Sequence, residues 1–184
     1  RMAAQSSRPN QSYPQTDGKP GRLIWNMEEI WHRLSEASRE VSKNVGTRNI
    51  KSIILTTWGA DGAPVKRDGS LTYPPISWQC PRTLEIVMEI KKRLTAWEVF
   101  RITGYQILSF NTLLKMAWLR QHVPKALDEA YTWLMMPGLL VHRLTGEFHI
   151  DPTSGSTMMA ARSCQRVSTV FSSSSKSLKG RLMT

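Results

Sequence analysis

Cysteine is nearly absent, with only Cys80 and Cys164 in 184 residues. Two thiols build no disulfide framework, and neither stands in a Cys-x-x-Cys or Cys/His spacing that would hold a structural zinc. Such sparing use fits a reducing compartment, so we expect a cytoplasmic protein. No apolar run approaches the roughly 18 residues that a membrane span needs. The greasiest stretch, Trp133 to Val141, is broken by Pro137 and Gly138. The N-terminus lacks the charged, apolar, small-residue succession of a secretory signal. The chain also has no GxxxxGK[ST] phosphate loop, no GxGxxG, no GxSxG elbow and no HExxH. Its four histidines, His32, His122, His142 and His149, share no motif and read as surface or helix residues rather than ligands.

Acid is also scarce: 14 Asp and Glu stand against 25 Lys and Arg, for a net charge of +11. The surplus is concentrated at the ends. Residues 1–22 carry +3, residues 162–184 carry +5 without a single acid, and the long middle only +3. A DNA-binding domain sets its basic stripe on folded helices among base-reading groups. That pattern is missing, and we expect no nucleic-acid partner and no membrane partner. With 40% apolar and 21% charged residues the chain has the composition of an ordinary globular domain.

Residues 1–21 are rich in Ser, Gln, Pro and Asn and read as an irregular segment. Arg22–Trp25 suits a short strand. Asn26 with Glu29 forms a capping-box pattern ahead of Met27, Ile30, Trp31, Leu34, Ala37 and Val41, the spacing of one helical face, with Gly46 as the stop. Ile50–Thr57 is β-branched and apolar on both faces near its end, as in a buried parallel strand. It runs into Trp58-Gly-Ala-Asp-Gly62. Ligands of open α/β sheets bind at the carboxyl ends of strands, so this loop is the first place to seek a site. Ala63–Val65 and Leu71–Trp78 flank Asp68-Gly69, a hairpin signal that points to a mixed sheet. Helices are expected over Pro81–Arg93, with Leu84, Val87 and Met88 inward, and after the Thr95–Glu98 capping box up to Gly104. Others should follow Ser109–Thr112, open at Pro124, and end near Gly146. From Arg162 the chain turns Ser-rich and acid-free, which suggests a disordered basic tail or a shifted reading frame.

Five motifs in order carry a resemblance. They are Thr56-Thr-Trp-Gly-Ala-Asp-Gly62, Asp68-Gly69, Tyr73-Pro-Pro-Ile-Ser-Trp-Gln-Cys-Pro-Arg-Thr83, Ser109-Phe-Asn-Thr-Leu113 and His142-Arg-Leu-Thr-Gly-Glu-Phe148. Together, over about residues 20–157, they resemble the FGGY carbohydrate kinases. The resemblance implies an α/β fold of the ribonuclease H-like, actin-like ATPase kind, a mixed sheet with flanking helices, incomplete here at both ends. It implies an N-terminal, sugar-side lobe over residues 22–161 between the irregular segment 1–21 and the tail 162–184. The implied reaction is ATP- and Mg²⁺-dependent phosphorylation of a ketose, L-fuculose, at its terminal hydroxyl. Other ketoses of the family (rhamnulose, xylulose, autoinducer-2) and a non-catalytic scaffold remain alternatives. The family's phosphate-binding turn, catalytic aspartate and adenosine-binding glycines have no counterpart, so the chain is expected to contribute substrate contacts and no catalysis.

Six residues are candidates for the sugar wall. Trp58 offers an aromatic face or packs in the core, and Gly59 permits close backbone approach. Asp61 accepts from sugar hydroxyls or serves a turn. Trp78 and Arg82 lie near the site by family position, with Arg82 equally suited to a structural salt bridge. Asn111 contacts sugar or caps a helix.

Overall fold

The computed structural model describes residues 2–16 and 19–158. Regular structure begins inside the stretch that composition marks as irregular: Tyr13–Pro14 (β1) pairs antiparallel with Leu23–Ile24 (β2). The residues before β1 are tethered by side chains. Arg8 reaches Glu36 and Glu40, Ser6 donates to Glu40, and Arg33 donates to the Pro9 carbonyl.

The first long helix starts where the sequence places its cap. Asn26 Oδ1 accepts from the Glu29 amide at 3.2 Å, α1 runs Met27–Val45, and Gly46 ends it at φ +77°. Only the first turn is well buried. Ile30 joins Trp25 in one core cluster and Met27 and Trp31 pack against it, while Leu34 further along stays 38% exposed. Arg143 holds Glu28 through two 2.6 Å bonds, which fixes the start of α1 against the C-terminal half.

Gly62–Val65 (β3) is buried at all four residues and pairs antiparallel with Thr132–Met135 (β4), Gly62 opposite Met135 and Val65 opposite Thr132. The hairpin expected about Asp68-Gly69 is present but short: the Gly69 amide donates to the Lys66 carbonyl at 3.0 Å, the Lys66 amide to the Ser70 carbonyl at 2.9 Å and the Thr72 amide to the Pro64 carbonyl at 3.0 Å, and Val65 bridges Leu71. β3 thus has this short return on one edge and the longer apolar pairing with Trp133, Leu134 and Met135 on the other.

The largest departure concerns Ile50–Thr57, expected as a buried central strand. It has no strand partner among the described residues, and Ile53 and Ile54 are 71% and 89% exposed. A strand apolar on both faces is buried only when layers cover both, and of this segment's apolar residues only Leu55 packs against a core cluster.

After a 3₁₀ turn at Pro81–Thr83 come α2 (Leu84–Arg93), α3 (Ala96–Thr103), α4 (Thr112–His122) and α5 (Pro124–Asp128). The inward face of α2 is Ile86, Val87 and Ile90. Leu84 and Met88, expected inside, are more than half exposed. The expected capping box of α3 is present in both directions and Gly104 closes the helix at φ +69°. From Leu114 to Leu119 every residue of α4 is buried, so this helix is the spine of the larger core, with Ile86, Ile90, Val99 and Trp133 around it. Trp133–Val141, the greasy stretch, becomes β4 and then α6 (Met136–Thr145), and Asp151 caps the short α7 (Pro152–Ser156). The Ser-rich stretch from Arg162 lies outside the described residues.

Two outcomes follow. Ile86→Ala should lower unfolding stability by about 2–5 kcal/mol, the cost of a core truncation, whereas Leu84→Ala should change it by less than about 0.5 kcal/mol. Urea unfolding of both variants reports which face of α2 is inside. Glu98, hydrogen-bonded by the Thr95 amide and hydroxyl, titrates below its ordinary value. A carboxyl depressed by folding stabilises above its unfolded pKa and loses that contribution as pH falls through the folded one. Amide protection in α3, taken relative to the intrinsic exchange rate at each pH, should therefore fall on acidification below the ordinary carboxylate range, and less so in Thr95→Ala.

Candidate functional site

The Trp58–Asp61 loop leaves the exposed Ile50–Thr57 segment and enters β3, and five parts of the chain hold it. Ala60 sits at φ +68°, the left-handed region that disfavours side chains with a Cβ. Its carbonyl accepts from Thr112 Oγ1 at 2.9 Å and from Lys115 Nζ at 3.1 Å, both on α4. Its amide donates to Thr157 Oγ1 at 3.0 Å, and the Asp61 carbonyl accepts from the Met136 amide at 3.0 Å. Gly59 is required sterically as well: a Cβ there would come within 2.9 Å of Thr157 Cγ2.

The Asp61 carboxylate is completely buried and fully engaged. Oδ2 accepts from Trp25 Nε1 at 2.6 Å, Trp58 Nε1 at 2.8 Å and the Trp78 amide at 3.1 Å. Oδ1 pairs with Lys115 Nζ. Three neutral donors and one cation replace the water that burial removes, the condition under which a buried charged group is tolerated. The carboxylate in turn orients the tryptophans. The Trp25 and Trp58 rings lie 4.5 Å apart between centroids, Trp78 is 48% exposed and the Gly59 backbone is exposed as well.

Burial pushes the Lys115 ammonium below its ordinary value, with Asp61 and Cys80 pulling it back up and Arg82 adding to the depression. Among the described residues Arg82 makes hydrogen bonds and a ring contact rather than an ion pair. Its Nε donates to Cys80 Sγ at 3.0 Å and its Nη1 to the Tyr73 hydroxyl at 3.0 Å, with the guanidinium 4.9 Å from the Trp118 ring centroid. Asn111 does not cap α4 with its side chain. Its Oδ1 accepts from the Leu108 amide at 2.7 Å, locking the turn before the helix, and its Nδ2 is buried without a partner.

Trp58, Gly59, Asp61 and Trp78 thus meet at one corner. Asn111 borders it through its neighbour Thr112, and Arg82 lies behind it under Tyr73 and Trp118. Asp61 exposes no oxygen in this structure, and both of its carboxylate oxygens are engaged by the surrounding donors. Sequence reading missed Trp25, Thr112, Lys115 and Thr157. Lys115 alone carried a signal, as a lone charge inside Leu113-Leu-Lys-Met-Ala-Trp-Leu119.

Comparison with known proteins places this corner in a family. The FGGY family of carbohydrate kinases, N-terminal domain, matches residues 2–163. The chain belongs to the FGGY carbohydrate kinases. It is 36% identical over 157 residues to L-fuculokinase of Escherichia coli (strain K12), covering 85% of this chain and 33% of that protein. It is 29% identical over 137 residues to a rhamnulokinase of Bacteroides thetaiotaomicron, covering 74% and 28%. Its backbone is similar to that of xylulose kinase from Rhodospirillum rubrum, with a TM-score of 0.74 at 18% identity over 85% of this chain and 32% of that one. The fold is the α/β, actin-like, ribonuclease H-like fold of the sugar kinases. The chain spans about a third of the length of the curated relatives it matches.

Asp61→Asn, which strands the Lys115 charge, should cost about 3–5 kcal/mol of stability near neutral pH. Where a lysine's folded pKa is depressed, the unfolded chain binds the extra proton between the folded value and the ordinary one, so stability rises with pH through that window. Removing the Asp61 charge lowers the Lys115 pKa further. The deficit of Asp61→Asn against wild type should therefore shrink as pH rises toward that of an ordinary lysine, read as urea midpoints at neutral and alkaline pH.

Proposed function

We propose that this chain forms the sugar-side wall of a ketose kinase that transfers the terminal phosphoryl group of ATP to L-fuculose, with residues 22–161 as the lobe. The observation that carries the reading is the 36% identity to an L-fuculokinase over a span that includes the whole Trp58–Asp61 corner. The chemistry of the corner suits a sugar. The half-exposed Trp78 ring offers an apolar face to C–H edges, the Gly59 backbone admits close approach, and the Trp58 ring, held by Asp61, continues the wall. Asp61 acts through these groups, while Arg82 and Asn111 support the wall from behind.

Phosphoryl transfer is chiefly positioning and charge stabilisation, so ATP and Mg²⁺ are the co-reactants of the whole kinase. The described residues gather no set of His, Cys, Asp and Glu that fits a metal ion. No residue here is assigned as catalytic base, and we expect the chain by itself to bind ketose without turning it over. No helix among the described residues is long and apolar enough to cross a membrane.

Titration with L-fuculose, L-rhamnulose and D-xylulose, followed by tryptophan emission, tests the assignment. L-fuculose should change the emission at the lowest concentration. A stronger response to L-rhamnulose would move the assignment to the rhamnulokinase branch, which the similarity at 29% identity also supports. Silence with all three would leave a ketose-independent scaffold. Trp78→Ala should weaken the response about two- to tenfold, the range of one aromatic contact of about 0.5–1.5 kcal/mol. An unchanged titration in that variant would remove Trp78 from the wall.

A further inference from the structure

We infer that Lys115 is a positioning residue for the sugar wall: from the first turns of α4 it sets the left-handed conformation of Ala60 and, through Asp61, the aim of the Trp58 ring. This rests on the ketose reading for its consequence but not for its geometry. Lys115 is 1% exposed, and its ammonium has two acceptors, both in the loop: the Ala60 carbonyl at 3.1 Å and Asp61 Oδ1. It touches the loop both at the strained residue and at the residue that receives the two indoles.

An elementary comparison shows why a charge stands here. Leu114, Met116, Ala117, Trp118 and Leu119 are buried apolar neighbours on the same helix, so a leucine or methionine at position 115 would serve the core equally well. A buried ion pair is weak evidence of stabilisation, since packed apolar replacements often match it. What the ammonium adds is direction. By occupying Oδ1 it leaves Oδ2 to collect Trp25, Trp58 and the Trp78 amide. By binding the Ala60 carbonyl beside Thr112 Oγ1, it offsets the cost of holding an alanine at φ +68°.

The inference predicts a suppressor. If Lys115 holds Ala60 in the left-handed region, glycine at position 60 should relieve the need for it, because glycine enters that region without steric cost. The test uses the 184-residue chain with ¹⁵N-labelled tryptophan and reads indole N–H exchange, which requires no sugar. In wild type the Trp25 and Trp58 indole protons should be protected. In Lys115→Met, and in the charge-neutral Asp61→Asn/Lys115→Met pair that avoids a stranded buried charge, Trp58 protection should fall at least about tenfold, the effect of losing a charge-assisted hydrogen bond. Circular dichroism should stay native-like in the pair. Adding Ala60→Gly to Lys115→Met, which keeps the Asp61 acceptor, should restore most of the Trp58 protection, and the L-fuculose response should follow it.

Wild-type indole exchange in the folded pair, or a loss that Ala60→Gly leaves untouched, would overturn the inference. If indole protection behaves as expected while wild type ignores every ketose, the positioning role stands and the sugar reading fails.

Discussion

A single buried carboxylate governs the architecture of this lobe. Asp61 has lost all contact with solvent, and a desolvated charge is tolerated only where donors replace the water it gave up. The donors come from four places: Trp25 just before α1, Trp58 in the same loop, the Trp78 amide ahead of the 3₁₀ turn, and Lys115 on α4. Each brings its own element. The polar requirement of one side chain thereby draws together the start of α1, the entrance of β3, the Pro75–Cys80 segment and the central helix, and the two hydrophobic clusters meet around it.

The same constraint turns a structural necessity into a surface. The Trp25 and Trp58 indoles donate to a common oxygen and cannot rotate independently, and the backbone of the exposed Trp78 is tied to that same oxygen. A rigid aromatic face beside accessible backbone is what a polyhydroxylated ligand needs, since its hydroxyls seek donors and acceptors while its C–H edges seek an apolar plane. Preorganisation of this kind lowers the ordering cost of binding. Membership of the FGGY carbohydrate kinases gives that face its reading as a sugar wall.

Much of the fold was legible because the determinants are local. The Asn26 cap, the Thr95–Glu98 capping box and the stops at Gly46, Gly104 and Gly146 depend on residues within one turn of each other, and all are present. Pairing was harder. The local return from Val65 to Leu71 was within reach of a short window, but the longer pairing of β3 with distant Leu134 turns on burial across the whole sheet, which no short window contains. The same holds for Ile50–Thr57, whose apolar pattern describes a covered strand although only its Leu55 packs against a core cluster. At the site, the Trp-Gly-x-Asp loop was legible as a place but not as a mechanism. The sequence says that Asp61 is polar in an apolar setting; only the fold shows that two tryptophans and a lysine already claim its oxygens.

The central claim is that the tryptophan wall organised by Asp61 receives L-fuculose. Saturation-transfer NMR on the 184-residue chain with L-fuculose addresses it directly, because transfer reports ligand protons lying against protein protons. The account predicts transfer to the C–H protons of L-fuculose that weakens in Trp78→Ala and collapses in Asp61→Asn at a pH where that variant remains folded. Transfer of equal strength in the folded variants, or none from wild type at millimolar ketose, would contradict it.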